Sequence, residues 1–205
     1  MDYQTLATDV SIEAALAALK KRGVEGFVVA DRKEALEMIK ALIPSGASVM
    51  NGSSVTLDEI GFIELLKSGA HDWNNLHDAV LAEQDKEKQA LLRKQSVLSD
   101  YYLGSVHAFS ETGELVIASN SGSQLPHIVF TSKNVIFVVG AQKIVPNLDA
   151  AFKRLYEYVV PLEDKHMHDL YGSGTMPSKV VIFNHENPMM GRNVRLILVK
   201  EKLGF

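Results

Sequence analysis

The sequence predicts an α/β protein: a three-layer open sheet, mostly parallel, with one β-hairpin and one long polar helix. Two observations carry this. Short runs rich in Val and Ile alternate with stretches whose apolar residues recur at helical spacing, which is how strands covered on both faces by helices read in sequence. In the second half two such runs flank Glu111-Thr112-Gly113, a natural hairpin turn.

Taken in order, Ile12, Ala15, Leu16 and Leu19 form a helical stripe behind Ser11 as N-cap, and Gly23 stops it. "VEGFVVA" (24–30) reads as a strand. Asp31 with Glu34 opens the next helix, whose stripe is Ala35, Met38, Ile39, Leu42 and Ile43, up to Pro44. "ASVMNG" (47–52) is a second strand, and Thr56 opens a helix carrying Ile60, Ile63 and Leu66. One polar helix is expected over 78–103, an exposed arm with the charged centre "EQDKEKQ". Five apolar runs follow: "SVHAF" (105–109), "ELVIAS" (114–119), "NVIFVVG" (134–140), "KVVIFN" (179–184) and "VRLILV" (194–199). Asn147 caps a helix lined by Leu148, Ala151, Phe152, Leu155 and Val159, and "YGSGTMPS" (171–178) joins the last strands. A single domain is expected over 1–205.

Composition narrows the function classes. A hydrophobic content of 46% is ample for a packed core. No apolar run approaches the roughly 20 residues of a membrane span, and no basic segment precedes an apolar block as in a signal peptide. The expectation is a cytoplasmic protein without membrane contact. A net charge of −4 argues against a nucleic-acid partner. With no cysteine, the chain itself can form no disulfide, Cys-ligated iron–sulfur cluster or cysteine nucleophile.

Two loops carry the candidate chemistry. "NGSSVTLDEIGF" (51–62) follows a strand and precedes a helix. Gly52 allows a sharp turn, and Ser53, Ser54 and Thr56 set hydroxyls beside free amides, which suits a phosphate or carboxylate. The competing reading is a capping box, with Thr56 bonding the amide of Glu59 and Glu59 reaching back. Glu59 is then either that cap or an acid–base group. The second loop, "SNSGSQLP" (119–126), also lies at the carboxyl end of a strand, where open α/β sheets bind ligands. There Gly122 permits positive φ, and Asn120, Ser121 and Ser123 can orient a polar ligand. Lys143 and Arg192 are cations near strand ends that can reach a bound anion, or simply solvated turn residues. His166 and His168 could chelate from a loop, but no metal-ligating motif is present and no metal is expected. Nor does any dinucleotide, P-loop or nucleophile-elbow motif occur, so no cofactor is expected.

Four segments, "GSSVTLDEIGF" (52–62), "ETGELVIASNSGSQLP" (111–126), "NVIFVVGAQKIVPNLDAAFKRL" (134–155) and "GRNVRLILVKEKLGF" (191–205), together resemble the lactate-utilisation (LUD) domain family, once a domain of unknown function. The resemblance spans nearly the whole chain. It implies the NagB/RpiA/CoA-transferase-like fold, shared by ribose-phosphate isomerases, glucosamine-phosphate deaminases and CoA transferases. This chain departs from its relatives twice. Ser123-Gln124-Leu125 stands where many carry Asn-Arg-Val, so the cation expected there is missing. "LYGSGTMPS" stands where one subgroup has a cysteine cluster.

Three functions follow as expectations. The first is an accessory or small-anion-binding component of lactate or related organic-acid utilisation, with electrons carried by separate iron–sulfur or other redox subunits. The second is an independent enzyme acting on a phosphorylated or CoA-linked small molecule, its catalytic residues not legible. The third is an assembly protein, with helix 78–103 as its partner-binding or homodimer element.

Overall fold

The computed structural model describes residues 2–205. Among these the strands in chain order are β1 (Glu25–Val29), β2 (Ser48–Asn51), β3 (Asn74–Asn75), β4 (Tyr101–Gly104), β5 (Ala108–Ser110), β6 (Leu115–Ser119), β7 (Asn134–Gly140), β8 (Ile144–Val145), β9 (Lys179–Phe183) and β10 (Asn193–Val199). The α-helices are α1 (Asp9–Lys21), α2 (Arg32–Leu42), α3 (Val55–Glu59), α4 (Phe62–Ser68), α5 (Leu76–Ala82), α6 (Lys86–Gln95), α7 (Leu148–Arg154) and α8 (Val160–Tyr171). A π-helical turn at Leu155–Val159 joins the last two, and another spans His127–Thr131.

Six strands form a parallel sheet in the order β1-β10-β7-β4-β2-β3. β7 is buried along its whole length because both faces of the sheet are covered. Its Ile136 and Val138 pack with Ile39, Leu57 and Phe62 of α2, α3 and α4. Its Val135, Phe137 and Val139 pack on the opposite face with Ile12 and Leu19 of α1, and with Phe109, Leu115 and Ile117. Those last three belong to a second sheet, β8-β5-β6-β9, in which β5–β6 is the expected hairpin. The outer face of this small sheet, Ala108, Val116 and Ala118, is sealed by Ala151, Leu155 and Val159 of α7 and its π turn. The architecture is thus three-layer α/β, with the hairpin in a sheet of its own rather than in the main one.

The expected single helix over 78–103 is absent. Glu83 is extended, and Asp85 accepts from the amides of Glu87 and Lys88, so the helix stops after α5 and restarts at α6. Tyr101 to Leu103 then form β4, deep in the sheet. Tyr101 and Leu103 face α2–α4 while Tyr102 faces the small sheet. Bulky apolar and aromatic residues that alternate between two covered faces favour a strand. Within the expected arm only α6 has no buried residue.

Candidate functional site

Parallel strands share one carboxyl edge, and that edge collects the loops of the site. β2 delivers Gly52 to Thr56, β4 delivers Ser105 to His107, and β7 delivers Lys143. β10 is followed by Gly204 and Phe205, and from the small sheet β6 delivers Ser119 to Gln124. These segments line one cavity of about 620 Å³. Gly52, Ser53, Ser54, Thr56, Asn120, Ser121, Ser123 and Lys143 are all on its wall, so the two candidate loops meet although they come from different sheets.

The first loop is tight. The Tyr102 hydroxyl lies so close to Gly52 that a Cβ there would sit 2.5 Å from it. No described residue accepts from the amides of Ser53, Ser54, Val55 or Thr56. The capping box, however, does not form. Ser54 is the N-cap, its hydroxyl accepting from the Leu57 amide at 3.3 Å. Thr56 is two residues past the cap, buried, and accepts from Lys143 Nζ at 3.0 Å. Glu59 reaches neither the Thr56 amide nor the cavity wall; its Oε2 accepts from the Gly204 amide at 2.7 Å and ties down the chain after β10. At five residues α3 is too short to lend the loop much dipole.

The second loop satisfies itself. Ser119 Oγ accepts from the Gly122 amide at 2.9 Å, and Ser121 Oγ from the Ser123 amide at 3.2 Å. Asn120 is tied to Thr175 and Ser178. Gly122 has φ +84, but it is the one residue of Ser119–Gln124 off the cavity wall, packed against the Lys179 side chain. Its role is to turn the loop.

Lys143 is 3% exposed and makes three hydrogen bonds, to Thr56 Oγ1, Ser105 Oγ (3.1 Å) and the Val106 carbonyl (3.2 Å). Burial chiefly, then the Arg154 charge, lower its ammonium to about 7, against a smaller pull from Glu59. Arg154 is fully buried and donates to the His107 carbonyl, but its Nε and Nη2 have no partner among the described residues. Burial lowers it to about 10, so it stays charged at neutral pH. Neither cation has a carboxylate within ion-pair distance among the described residues.

His107 lines the cavity beside them. Its Nδ1 accepts from the Ala118 amide at 3.0 Å, which places the proton of the neutral ring on Nε2. Desolvation, then Lys143 and Arg154, push this imidazole down to about 3. His127 stacks on Tyr102 at 4.6 Å, shares its Nδ1 with Ser132 and Ser99, and is lowered by burial to about 4. Glu163 of α8 is the acidic side chain on the wall, its carboxyl raised by burial against a smaller effect of His166.

Arg192 is not part of this site. It precedes β10 and so lies at the amino edge of the sheet. There it pairs with Glu186 at 3.1 Å and donates to the carbonyls of Ser132, His127 and Ile128, holding the π turn. His166 and His168 fall on α8, where residues two apart diverge. His166 meets Phe205 edge-on at the cavity, while His168 faces Asp164. Thr175 to Pro177, expected only as a connection, form part of the wall. Tyr102, Ser105, His107, His127 and Glu163 were also not singled out in the sequence. A lone histidine inside the apolar run "SVHAF" was the one visible signal.

The LUD domain model matches residues 12–177. No curated protein matches the chain. The crystal structure of a DUF162 family protein from Deinococcus radiodurans is similar over 95% of this chain and 98% of that one, with a TM-score of 0.54 at 10% identity. At that identity the likeness concerns the fold alone. The family match, by contrast, covers most of the sequence, from α1 to the wall segment before β9: the chain belongs to the LUD domain family.

Proposed function

We propose that the cavity binds a small organic anion, a carboxylate or a phosphate, and that the chain serves lactate or related organic-acid use as an accessory component. One observation carries this reading. Lys143 and Arg154 are buried cations with no carboxylate partner among the described residues, and a buried charge is costly unless it is paired. An anion in the cavity would supply the missing charge to Lys143 on its wall and, at longer range, to Arg154 buried behind it, with the amides of Ser53 to Thr56 and the Nε2–H of His107 as donors. Lys143, whose three hydrogens are already engaged, would act through its charge more than through a new bond.

The accessory role rests on chemistry the sequence limits. Oxidising lactate removes two electrons, which need a nicotinamide, flavin or metal centre. The chain has no dinucleotide fingerprint and no cysteine to hold an iron–sulfur cluster. Electrons would pass through separate subunits. The test has two parts. In a thermal-shift series, lactate, pyruvate and phosphate esters should raise the melting temperature with ligand concentration. The fresh protein should show no flavin-like absorption band and should reduce no artificial acceptor with lactate. Acceptor reduction by this chain by itself would overturn the accessory role.

A second reading is an enzyme on a phosphorylated or CoA-linked compound. The observation favouring it is Glu163, an acid raised by burial on the same wall as His107. Turnover of such an ester, lost in Glu163→Gln, would decide for it.

A further inference from the structure

α8 is amphipathic, yet none of its residues is buried. Val160, Glu163, Met167 and Tyr171 recur at helical spacing and all face the cavity. Val160 packs on the core beneath the small sheet, whereas Met167 and Tyr171, with Glu163 between Val160 and Met167, border open space. Around it Leu81, Tyr171 and Met176, all on the cavity wall, are 57%, 70% and 66% exposed. Large apolar side chains clustered around a concave site mark a surface that is covered in function. The same cavity wall holds the loop amides, His107 and Lys143, with Arg154 buried behind it against the His107 carbonyl. One wall therefore offers both polar donors around Lys143 and large apolar side chains from α5, α8 and the segment after it, with Glu163, His166 and Arg93 among them.

Its size agrees. At roughly 30 Å³ per water-sized group, lactate with its six non-hydrogen atoms fills less than a third of the 620 Å³. A cavity in this range is typical of ligands several times larger.

Resting on the anion-binding reading, we propose that the ligand is bipartite: a carboxylate or phosphate head beside Lys143, carrying an aliphatic or aromatic body that lies along Met167 and Tyr171 of α8. Lactate and inorganic phosphate then occupy only the head position. The body excludes water from Leu81, Met167, Tyr171 and Met176, and that apolar burial supplies the larger share of the affinity.

Calorimetric titration of the whole protein with two matched pairs tests this. The pairs are lactate against 3-phenyllactate, and inorganic phosphate against phenyl phosphate, so that the two head chemistries are separated. In at least one pair the phenyl-bearing member should bind about tenfold tighter or more, the worth of burying one aromatic ring. Met167→Asp, on a helix with no buried residue, should bring that ratio close to one. Equal affinities within both pairs, with the parents still binding, would sink the bipartite ligand and leave the anion reading standing. Binding of no probe at all would overturn both. A ratio unchanged in folded Met167→Asp would remove α8 from the assignment, and if that variant fails to fold, the ratios of the native protein still decide.

Discussion

Lys143 makes the stability of the molecule depend on pH in an unusual direction. In the unfolded chain its ammonium titrates at 10.5, and in the fold at about 7. Below about 7 both states hold the proton, and the full cost of a buried charge weighs on the fold. Between about 7 and 10.5 the unfolded chain binds more protons than the folded one, so stability rises with pH. The difference in unfolding free energy between the native protein and Lys143→Met should therefore grow in favour of the native protein across that window, as read from urea curves at pH 7, 8, 9 and 10. A flat difference would mean that the amine is not desolvated. Arg192 is the opposite kind of cation. Its partner Glu186 is as deeply seated as itself, with side-chain exposures of 6% and 8% respectively. Arg192→Met should destabilise by about 3–5 kcal/mol, the usual result of leaving one member of a buried pair alone, and leave the affinity for small anions within a factor of two. A weakened affinity in the folded variant would return Arg192 to the site.

At the scale of elements, the serine-rich loop after β6 is held by its glycine. Gly122 sits at φ +84, and a Cβ there would approach the Lys179 side chain to 2.7 Å. A β-branched residue resists that backbone region. Gly122→Val should cost about 1–2 kcal/mol from the conformation alone and weaken anion binding by moving Ser121 and Ser123. Equilibrium unfolding and calorimetry on one preparation would check both. Full stability would mean that the loop has a second, non-glycine conformation. The same loop shows how much of the site was legible. Both candidate loops could be found because Gly, Ser and Asn clusters at strand ends have a local cause, the need for tight turns. Glu59 and Arg192 were misplaced because their partners, Gly204 and Glu186, lie where sequence spacing says nothing. The expected helix over 78–103 failed at two points for different reasons: Asp85 caps a new helix locally, and burial of Tyr101 to Leu103 in the sheet turns the C-terminal end into β4.

At the scale of the whole molecule, anion binding and proton uptake should be coupled. An anion beside Lys143 raises its pKa, so the complex takes up a proton wherever the free amine is neutral. Affinity should fall as pH rises above about 7, by up to tenfold per unit, and calorimetry in buffers of different ionisation enthalpy should show the uptake directly. Affinity independent of pH between 7 and 9 would place the ligand away from Lys143. What makes this coupling available is the topology. Strands from distant parts of the chain end at one edge, where Lys143, just past β7, is buried against the loops of β2 and β4, and Arg154 of α7 meets the His107 carbonyl.

Read alone, the chain shows the α/β class, the strands β1, β2, β5, β6, β7, β9 and β10 and the hairpin, because periodicity and turn chemistry act over a few residues and need no partner, while the order of four motifs shows the family. The tertiary structure alone decided that β5 and β6 leave the main sheet and that two serine-rich loops from different sheets share a cavity. It also decided that Lys143 is buried without a carboxylate partner among the described residues, and that Met167 and Tyr171 of α8 face open space. Each of these is a matter of what is desolvated against what, and desolvation is set by groups far apart in the chain.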